Sequence, residues 1–391
     1  MVKLKILLLT SEYPPYLRGG VGSFSYELSR GLARAGNEVI VVTRGNGPDR
    51  LINVDNTKIY YLMSPDLPPR DLWFYFVRIR DFKRVTEIEK PDIIHDASGA
   101  LNYSPWLSKF APTVLTIHGS PTLDVIRLSL GGEDRFRFIL FNTSHTLPSR
   151  LIDFVSRPIF SRIVFVSRYA LWSSLNKIRG EVMRSRLRKI SRVVYNGVDV
   201  KKLRDIASKV VCDDYTIAFI SRLMEYKGVR WLIKAFRRVV KELPRAKLHI
   251  VGNGPLYGDA RELVARLGLD NNVVLHGSLP RSNALKILAG SKILVHPSLV
   301  EGFGIVIAEA YAMGKPVITH RSGYAYELVG ETGAGLMINT LDEEEFSNAI
   351  INLLTDNNLY KKLSQRALEV SERFSVEEMV KGYLSVYREL V

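Results

Sequence analysis

The sequence predicts an α/β protein made of two units in tandem, each a parallel sheet with helices on both faces. Three observations support this. The chain has 391 residues, too many for one ordinary α/β core and enough for two. Short apolar runs alternate with helical patterns from end to end, as strand–helix–strand crossovers require. The rhythm restarts after about Asp199, which puts a boundary near residues 199–212. The first unit is therefore assigned to residues 1–200, completed by 376–391, and the second to 201–375.

In the first unit Lys5–Thr10, Glu38–Thr43, Lys58–Leu62, Asp92–His95, Thr113–His118 and Arg162–Val166 read as strands. In the second, Tyr215–Ile220, Lys247–Val251, Val273–Leu275, Lys292–His296 and Pro316–Thr319 do so. Three helices close the chain, near 342–354, 357–372 and 375–390. The last bears Met379, Tyr383, Leu384 and Tyr387 as an apolar stripe at helical spacing. Residues 70–90 read as a helix with Trp73, Phe74, Phe76 and Phe82, and residues 122–160 show no clean period.

Composition narrows the function. Apolar residues make up 46% and charged residues 24%, a globular balance. Cys212 is the only cysteine, which rules out a disulfide framework and a cysteine-based zinc cluster. The N-terminal apolar run is too short for a signal peptide, and Glu12 follows it. No stretch approaches the roughly 18 apolar residues of a membrane-spanning helix. A cytoplasmic protein that visits the inner membrane face is the expectation. The net charge of +15 is concentrated: residues 127–192 hold 14 Lys/Arg against 4 Asp/Glu. Such a field attracts phosphates, whether on nucleic acid, lipid or substrate, and a solvated basic surface is the alternative.

Chemistry-bearing motifs fall where predicted strands end, the edge at which open parallel sheets bind ligands. The first strand runs into TSEYPPYLRGGVG, where Gly19 and Gly20 let backbone approach a ligand at a helix N-terminus. The loop is not a dinucleotide fingerprint, because G-x-G-x-x-G spacing is missing and the second strand ends in Thr43-Arg44. His118 ends the strand TVLTIH, and His95 and His296 also end strands. Arg222 and Lys227 in SRLMEYKG are two cations suited to a pyrophosphate. Gly252, Asn253 and Gly254 in GNGP permit close approach to a base or ribose. In EGFGIVIAE, Glu301 precedes a helix, the amides of Gly302, Phe303, Gly304 and Ile305 form its N-terminus, and Glu309 lies on it. Carboxylates there suit hydroxyl donors. Each motif alone reads equally as a turn or cap; three at strand ends of one sheet point to a ligand.

Together the GG loop, His118, NGVD at 196–199, SRLMEYKG, GNGP, HPSLVEGFGIVIAEAYAMGKPVI and the closing helix make the chain resemble family 4 glycosyltransferases. That resemblance implies the GT-B fold: two Rossmann-like domains facing across a cleft, with the C-terminal helix crossing back to the first. It implies retention of anomeric configuration, with Glu301 on donor-sugar hydroxyls, Glu309 on the ribose, and Arg222 and Lys227 on the diphosphate. His118 would orient the donor sugar, and Glu327 matches a position where the family usually has Glu. No D-x-D motif occurs, so no metal and no cofactor are expected, and protein cations carry the diphosphate charge. The expected partners are a nucleotide-sugar donor (UDP- or GDP-hexose) and a sugar, lipid-linked or phosphorylated acceptor. An anionic membrane surface is a further candidate partner; nucleic acid is disfavoured. A nucleotide-sugar epimerase of similar fold and a non-catalytic nucleic-acid-binding protein remain the alternative readings.

Overall fold

The computed structural model describes residues 3–16, 19–64, 74–75, 77–98, 105–119, 160–178 and 180–391. They form two compact units. One holds the described residues up to 119, those of 160–197, and Val376–Val391; the other holds Val198–Ser375.

The first unit is built on an eight-stranded sheet ordered β3-β4-β2-β1-β5-β6-β7-β8. Its strands are β1 (Lys5–Leu9), β2 (Glu38–Gly45), β3 (Arg50–Val54), β4 (Thr57–Met63), β5 (Ile93–Asp96), β6 (Thr113–Ile117), β7 (Arg162–Phe165) and β8 (Ser191–Val193). β1 and β2 are almost wholly buried apolar runs, as strands covered on both faces must be. The sheet departs from the all-parallel expectation at one edge, where β3 pairs antiparallel with β4. All five residues of β3 are exposed, so it leaves no burial pattern to read. Helix α1 (Gly20–Arg34) follows β1, and α2 (Ile79–Glu89) precedes β5.

In the aromatic helix read from the sequence, Phe74 is fully buried against Tyr75 and Phe82 and belongs to the core. Trp73, Phe76 and the Arg/Phe-rich stretch around Phe136–Phe141 lie outside the described residues. Helices α3 (Arg168–Asn176) and α4 (Glu181–Ile190) flank β7 and β8.

The second unit has a six-stranded sheet, β11-β10-β9-β12-β13-β14, and every pairing is parallel. Its strands are β9 (Asp213–Ile220), β10 (Lys247–Val251), β11 (Val273–Gly277), β12 (Ser291–His296), β13 (Val317–His320) and β14 (Gly335–Ile338). Helix α5 (Val200–Ser208) leads into it. Helix α6 (Val229–Glu242) shows why such sequences fold this way. Val229, Leu232, Ile233, Phe236 and Val239 recur at helical spacing and are buried, while Lys234 and Arg237 face water. Burying each large side chain contributes about 1.5–3 kcal/mol. Helices α7 (Tyr257–Arg266), α8 (Arg281–Gly290), α9 (Ile305–Ala312), α10 (Glu343–Thr355) and α11 (Asn357–Ser371) complete the unit.

The helix after the second unit, α12 (Val376–Arg388), belongs to the first unit, as the resemblance implies. Its polar atoms are satisfied inside that unit. The Tyr387 hydroxyl meets His95 Nδ1 at 2.7 Å, His95 Nε2 meets Thr116 Oγ1 at 2.7 Å, and Thr116 Oγ1 meets the Tyr383 hydroxyl at 2.8 Å. A buried network of this kind fixes one docking register, because any other leaves polar atoms unpaired.

Candidate active site at the strand ends

Each sheet reverses its strand order at one point. In the second unit the chain builds β9, β10 and β11 in one direction, then returns to add β12, β13 and β14 on the other side of β9. The crevice beyond the carboxyl ends of β9 and β12 is the place such a sheet offers a ligand. Lys227 follows β9 and Glu301 follows β12. The switch point thus brings together two groups 74 residues apart in sequence.

There the buried Lys227 ammonium donates to Glu301 Oε1 in a very short contact, and His296 Nε2 lies 3.1 Å from the same oxygen. Burial alone would raise the Glu301 carboxyl. The Lys227 charge and the His296 hydrogen bond outweigh it and hold the group down to about 2. Glu301 is therefore an anion near neutrality, with its second oxygen available to accept from a ligand hydroxyl. His296 Nδ1 is buried and has no hydrogen-bond partner among the described residues. Lys227 also lies over the Tyr226 ring, 5.0 Å from its centroid.

Glu309 sits on α9 in a different environment. It is buried, and its carboxyl is raised by that burial, offset in part by Arg281. Arg281 Nη2 lies 2.5 Å from Glu309 Oε1, yet that oxygen has no well-aligned hydrogen bond. The contact is an ion pair with acceptor capacity left over. Arg281, at the start of α8, is the residue that sequence reasoning missed. It lies 28 positions before Glu309, on the first turn of a different helix, in the segment SLPRSN, which has no glycine or acidic signature.

The remaining residues divide by role. Gly304 (φ 83°) caps α9, and no side chain caps that helix; the Ile307 amide donates to the Gly304 carbonyl at 2.9 Å, which leaves the Ile305 and Val306 amides as donors for an anion. The Phe303 side chain is buried edge-on against Phe374. Arg222 and Asn253 are exposed on their loops. Gly252 and Gly254 have a structural reason of their own. A Cβ on Gly252 (φ 137°) would lie 1.9 Å from the Ser221 carbonyl oxygen, and one on Gly254 2.5 Å from that of Leu223. These glycines let the loop after β10 lie against the loop after β9, with the Leu223 amide donating to Asn253 O at 3.0 Å. Glu327 is buried in a short turn, Tyr326–Gly330, beyond β13.

In the first unit the reversal lies between β1 and β5. Gly19 and Gly20 open α1 there, with no side-chain cap and no atom within 3.4 Å of a Cβ placed on Gly19. His118, half-buried after β6, packs edge-on against Phe24 of α1, ring centres 4.7 Å apart. Its Nε2 lies 2.7 Å from the Ala97 carbonyl oxygen. Burial lowers this imidazole to about 4, so it is neutral at pH 7. With Nε2–H donated to the carbonyl, Nδ1 is left as the acceptor.

Family models match both units: Glycosyltransferase Family 4 over residues 18–202 and Glycosyl transferases group 1 over residues 203–370. The chain belongs to the group 1 glycosyltransferases of family 4. It is 26% identical over 417 residues to the N-acetyl-alpha-D-glucosaminyl L-malate synthase of Bacillus anthracis, spanning 100% of this chain and 98% of that one. Among solved structures it resembles sucrose-phosphate synthase from Thermosynechococcus elongatus, with TM-score 0.78 and 20% identity over 99% of both chains. It also resembles Anabaena HepE in complex with UDP-glucose, with TM-score 0.72 and 20% identity over 99% of this chain and 100% of that one. These likenesses establish the GT-B fold. For this transferase, the second unit holds the Lys227–Glu301–His296 cluster and the Glu309–Arg281 pair, while Gly19, Gly20 and His118 sit at the strand ends of the first.

Proposed function

We propose that this glycosyltransferase moves a hexose from a nucleoside-diphosphate sugar, UDP- or GDP-linked, to a hydroxyl acceptor with retention of configuration and without a metal ion. The observation that supports this most directly is the ionised Glu301 held between Lys227 and His296 at the switch point. Lys227 has three donor hydrogens and spends one on Glu301. The others suit a diphosphate, joined by Arg222 and the open amides of α9. Developing charge on a leaving nucleoside diphosphate is stabilised by cations already in place, which need not reorganise during reaction. The free oxygen of Glu301 accepts from sugar hydroxyls. Glu309 accepts from the ribose diol, and Arg281 beside it opposes the rise that burial imposes on its carboxyl. His118, neutral with Nδ1 as acceptor, orients a hydroxyl of the donor sugar. UDP is the favoured carrier, since the HepE structure is a complex with UDP-glucose.

The basic face supports an anionic acceptor, lipid-linked or phosphorylated. Among the described residues, α3 and α4 expose Trp172 (60%) and Val182 (88%) beside Arg186, Arg188 and Lys189. Apolar side chains among basic ones suit an anionic membrane surface, where each Lys or Arg contributes about 1 kcal/mol. Among the described residues no helix is long and apolar enough to cross a membrane.

A thermal-shift panel of UDP-, GDP- and ADP-sugars tests the donor, because a ligand that binds the folded form raises Tm. One nucleotide should shift wild type strongly, and transfer should survive EDTA. Loss of transfer in EDTA, restored by magnesium or manganese, would overturn the metal-free reading. Co-sedimentation with anionic vesicles should be strong at low salt and fall as salt screens it. Equal recovery with neutral vesicles would leave a soluble acceptor.

A further inference from the structure

All strands of the second sheet run in parallel, so the edge opposite the site gathers their starting ends. Two residues meet there that the transfer reaction does not use. Cys212 immediately precedes β9, and Lys315 lies two residues before β13. Lys315 is buried, with 5% exposure, and its Nζ lies 3.3 Å from Cys212 Sγ. Among the described residues that sulfur is the only hydrogen-bond partner of the ammonium.

The neighbouring Lys292 shows how a buried lysine on this edge is normally satisfied. Its Nζ donates to the Leu354 carbonyl at 3.0 Å and to Asn357 Oδ1 at 3.5 Å, with Asp214 at 3.6 Å. Lys315 instead ends on a single soft sulfur, a weak acceptor. The thiol itself is exposed, and no second cysteine exists in the chain to compete for it. A reagent arriving from solvent can therefore reach the sulfur while the lysine nitrogen waits behind it.

We propose that Cys212 and Lys315 form a peroxide-responsive modification site that closes to a sulfur–nitrogen crosslink, a sulfenamide. In the first step the thiol sulfur attacks hydrogen peroxide and the O–O bond breaks. Cys–SH and H2O2 give Cys–SOH and H2O; sulfur is oxidised and peroxide reduced. In the second step the lysine nitrogen displaces the sulfenic oxygen. Cys–SOH and Lys–NH3+ give Cys–S–NH–Lys, H2O and H+, with the S–O bond broken and the S–N bond formed. Sulfenic acids condense with nearby nitrogen in this way, and a nucleophile already held beside the sulfur outcompetes solvent species. Two equivalents of an external thiol reverse the product, releasing Cys–SH and the lysine amine as the thiols pair in a disulfide. The crosslink would pin the segment entering β9 to the turn before β13, two strands that β12 separates.

Intact-mass analysis of the full chain after brief treatment with about one equivalent of hydrogen peroxide tests this. Wild type should lose two hydrogens, resist dimedone, and regain its mass in dithiothreitol. Peptide mapping should join the Cys212 and Lys315 peptides. Lys315→Arg and Lys315→Gln should instead give a sulfenic acid that dimedone traps, and Cys212→Ser should not change. Trapping of wild type by dimedone as readily as Lys315→Arg would overturn the proposal. So would a gain of two or three oxygens without hydrogen loss, or a disulfide-linked dimer as the main product.

Discussion

Replacing Lys227 by methionine removes one charge and keeps the bulk, and its effect can be worked out from Glu301. The Glu301 carboxyl sits at about 2 in the folded protein, against an ordinary 4.5. That gap corresponds to roughly 3 kcal/mol of folding stability at pH 7. The sign follows from a lowered carboxyl: the contribution is complete above pH 4.5 and is lost as pH falls through 4.5 toward 2. In Lys227→Met the main force lowering the carboxyl is gone, and burial, which raises it, takes over. The variant should lose about 3–5 kcal/mol at neutral pH, the usual cost of leaving a buried ion unpaired. Its stability relative to wild type should then recover as pH falls, because protonating Glu301 now relieves strain. Urea unfolding of both proteins from pH 7 down to about pH 3 measures this, and Lys227→Met/Glu301→Gln should regain most of the neutral-pH loss. Stability curves that run parallel across this range would refute the reasoning, as would a double variant no better than the single one.

Glu301→Gln should keep the fold, since its neutral amide can still face Lys227 and His296, but lower transfer on the order of a hundredfold or more; a folded variant with near-normal turnover defeats the assignment. Gly252→Ala should cost more than ~3 kcal/mol, because its Cβ would sit 1.9 Å from the Ser221 carbonyl at φ 137°; a Tm within a degree or two of wild type contradicts this. His95 is lowered to about 3, first by burial and then by His118. Its neutral form is the folded one, so stability should fall as pH drops from about 6.5 toward 3, by up to about 5 kcal/mol. His95→Gln should flatten that slope, read by urea titration; an unchanged slope would assign the acid sensitivity elsewhere.

Most of the fold is legible in the sequence because buried parallel strands are continuous apolar runs. LLL at the start of the chain and ILVH before Pro297 need no partner to be recognised. β3 escapes because both its faces are exposed, and RLINV resembles a loop. β8 and β14 escape because they are short edge strands with half-exposed residues. For the site, position is legible and pairing is not. Lys227, Glu301 and Glu309 stand out because polar residues cluster after apolar strands. That Lys227 touches Glu301, or Arg281 touches Glu309, depends on which strands become neighbours, and strand order is not written in local pattern. The glycines of GNGP show the opposite problem, since one residue type serves both loop-on-loop packing and ligand approach. The unassigned stretch 122–160 overlaps residues 120–159, outside the described ones, and the acceptor reading rests on it in part.

The placement of α12 sets an order of events during synthesis. The described residues of the second unit, 198–375, are continuous in sequence and have all left the ribosome before α12 does. The first unit is translated earlier but lacks the helix whose tyrosines pair with His95 and Thr116 until the second unit has been made. The half that is begun first is thus finished last. A nascent chain whose residues 198–375 have emerged but whose α12 has not would carry a first unit whose buried histidine still lacks its hydroxyl, which is the state a chaperone would be expected to hold.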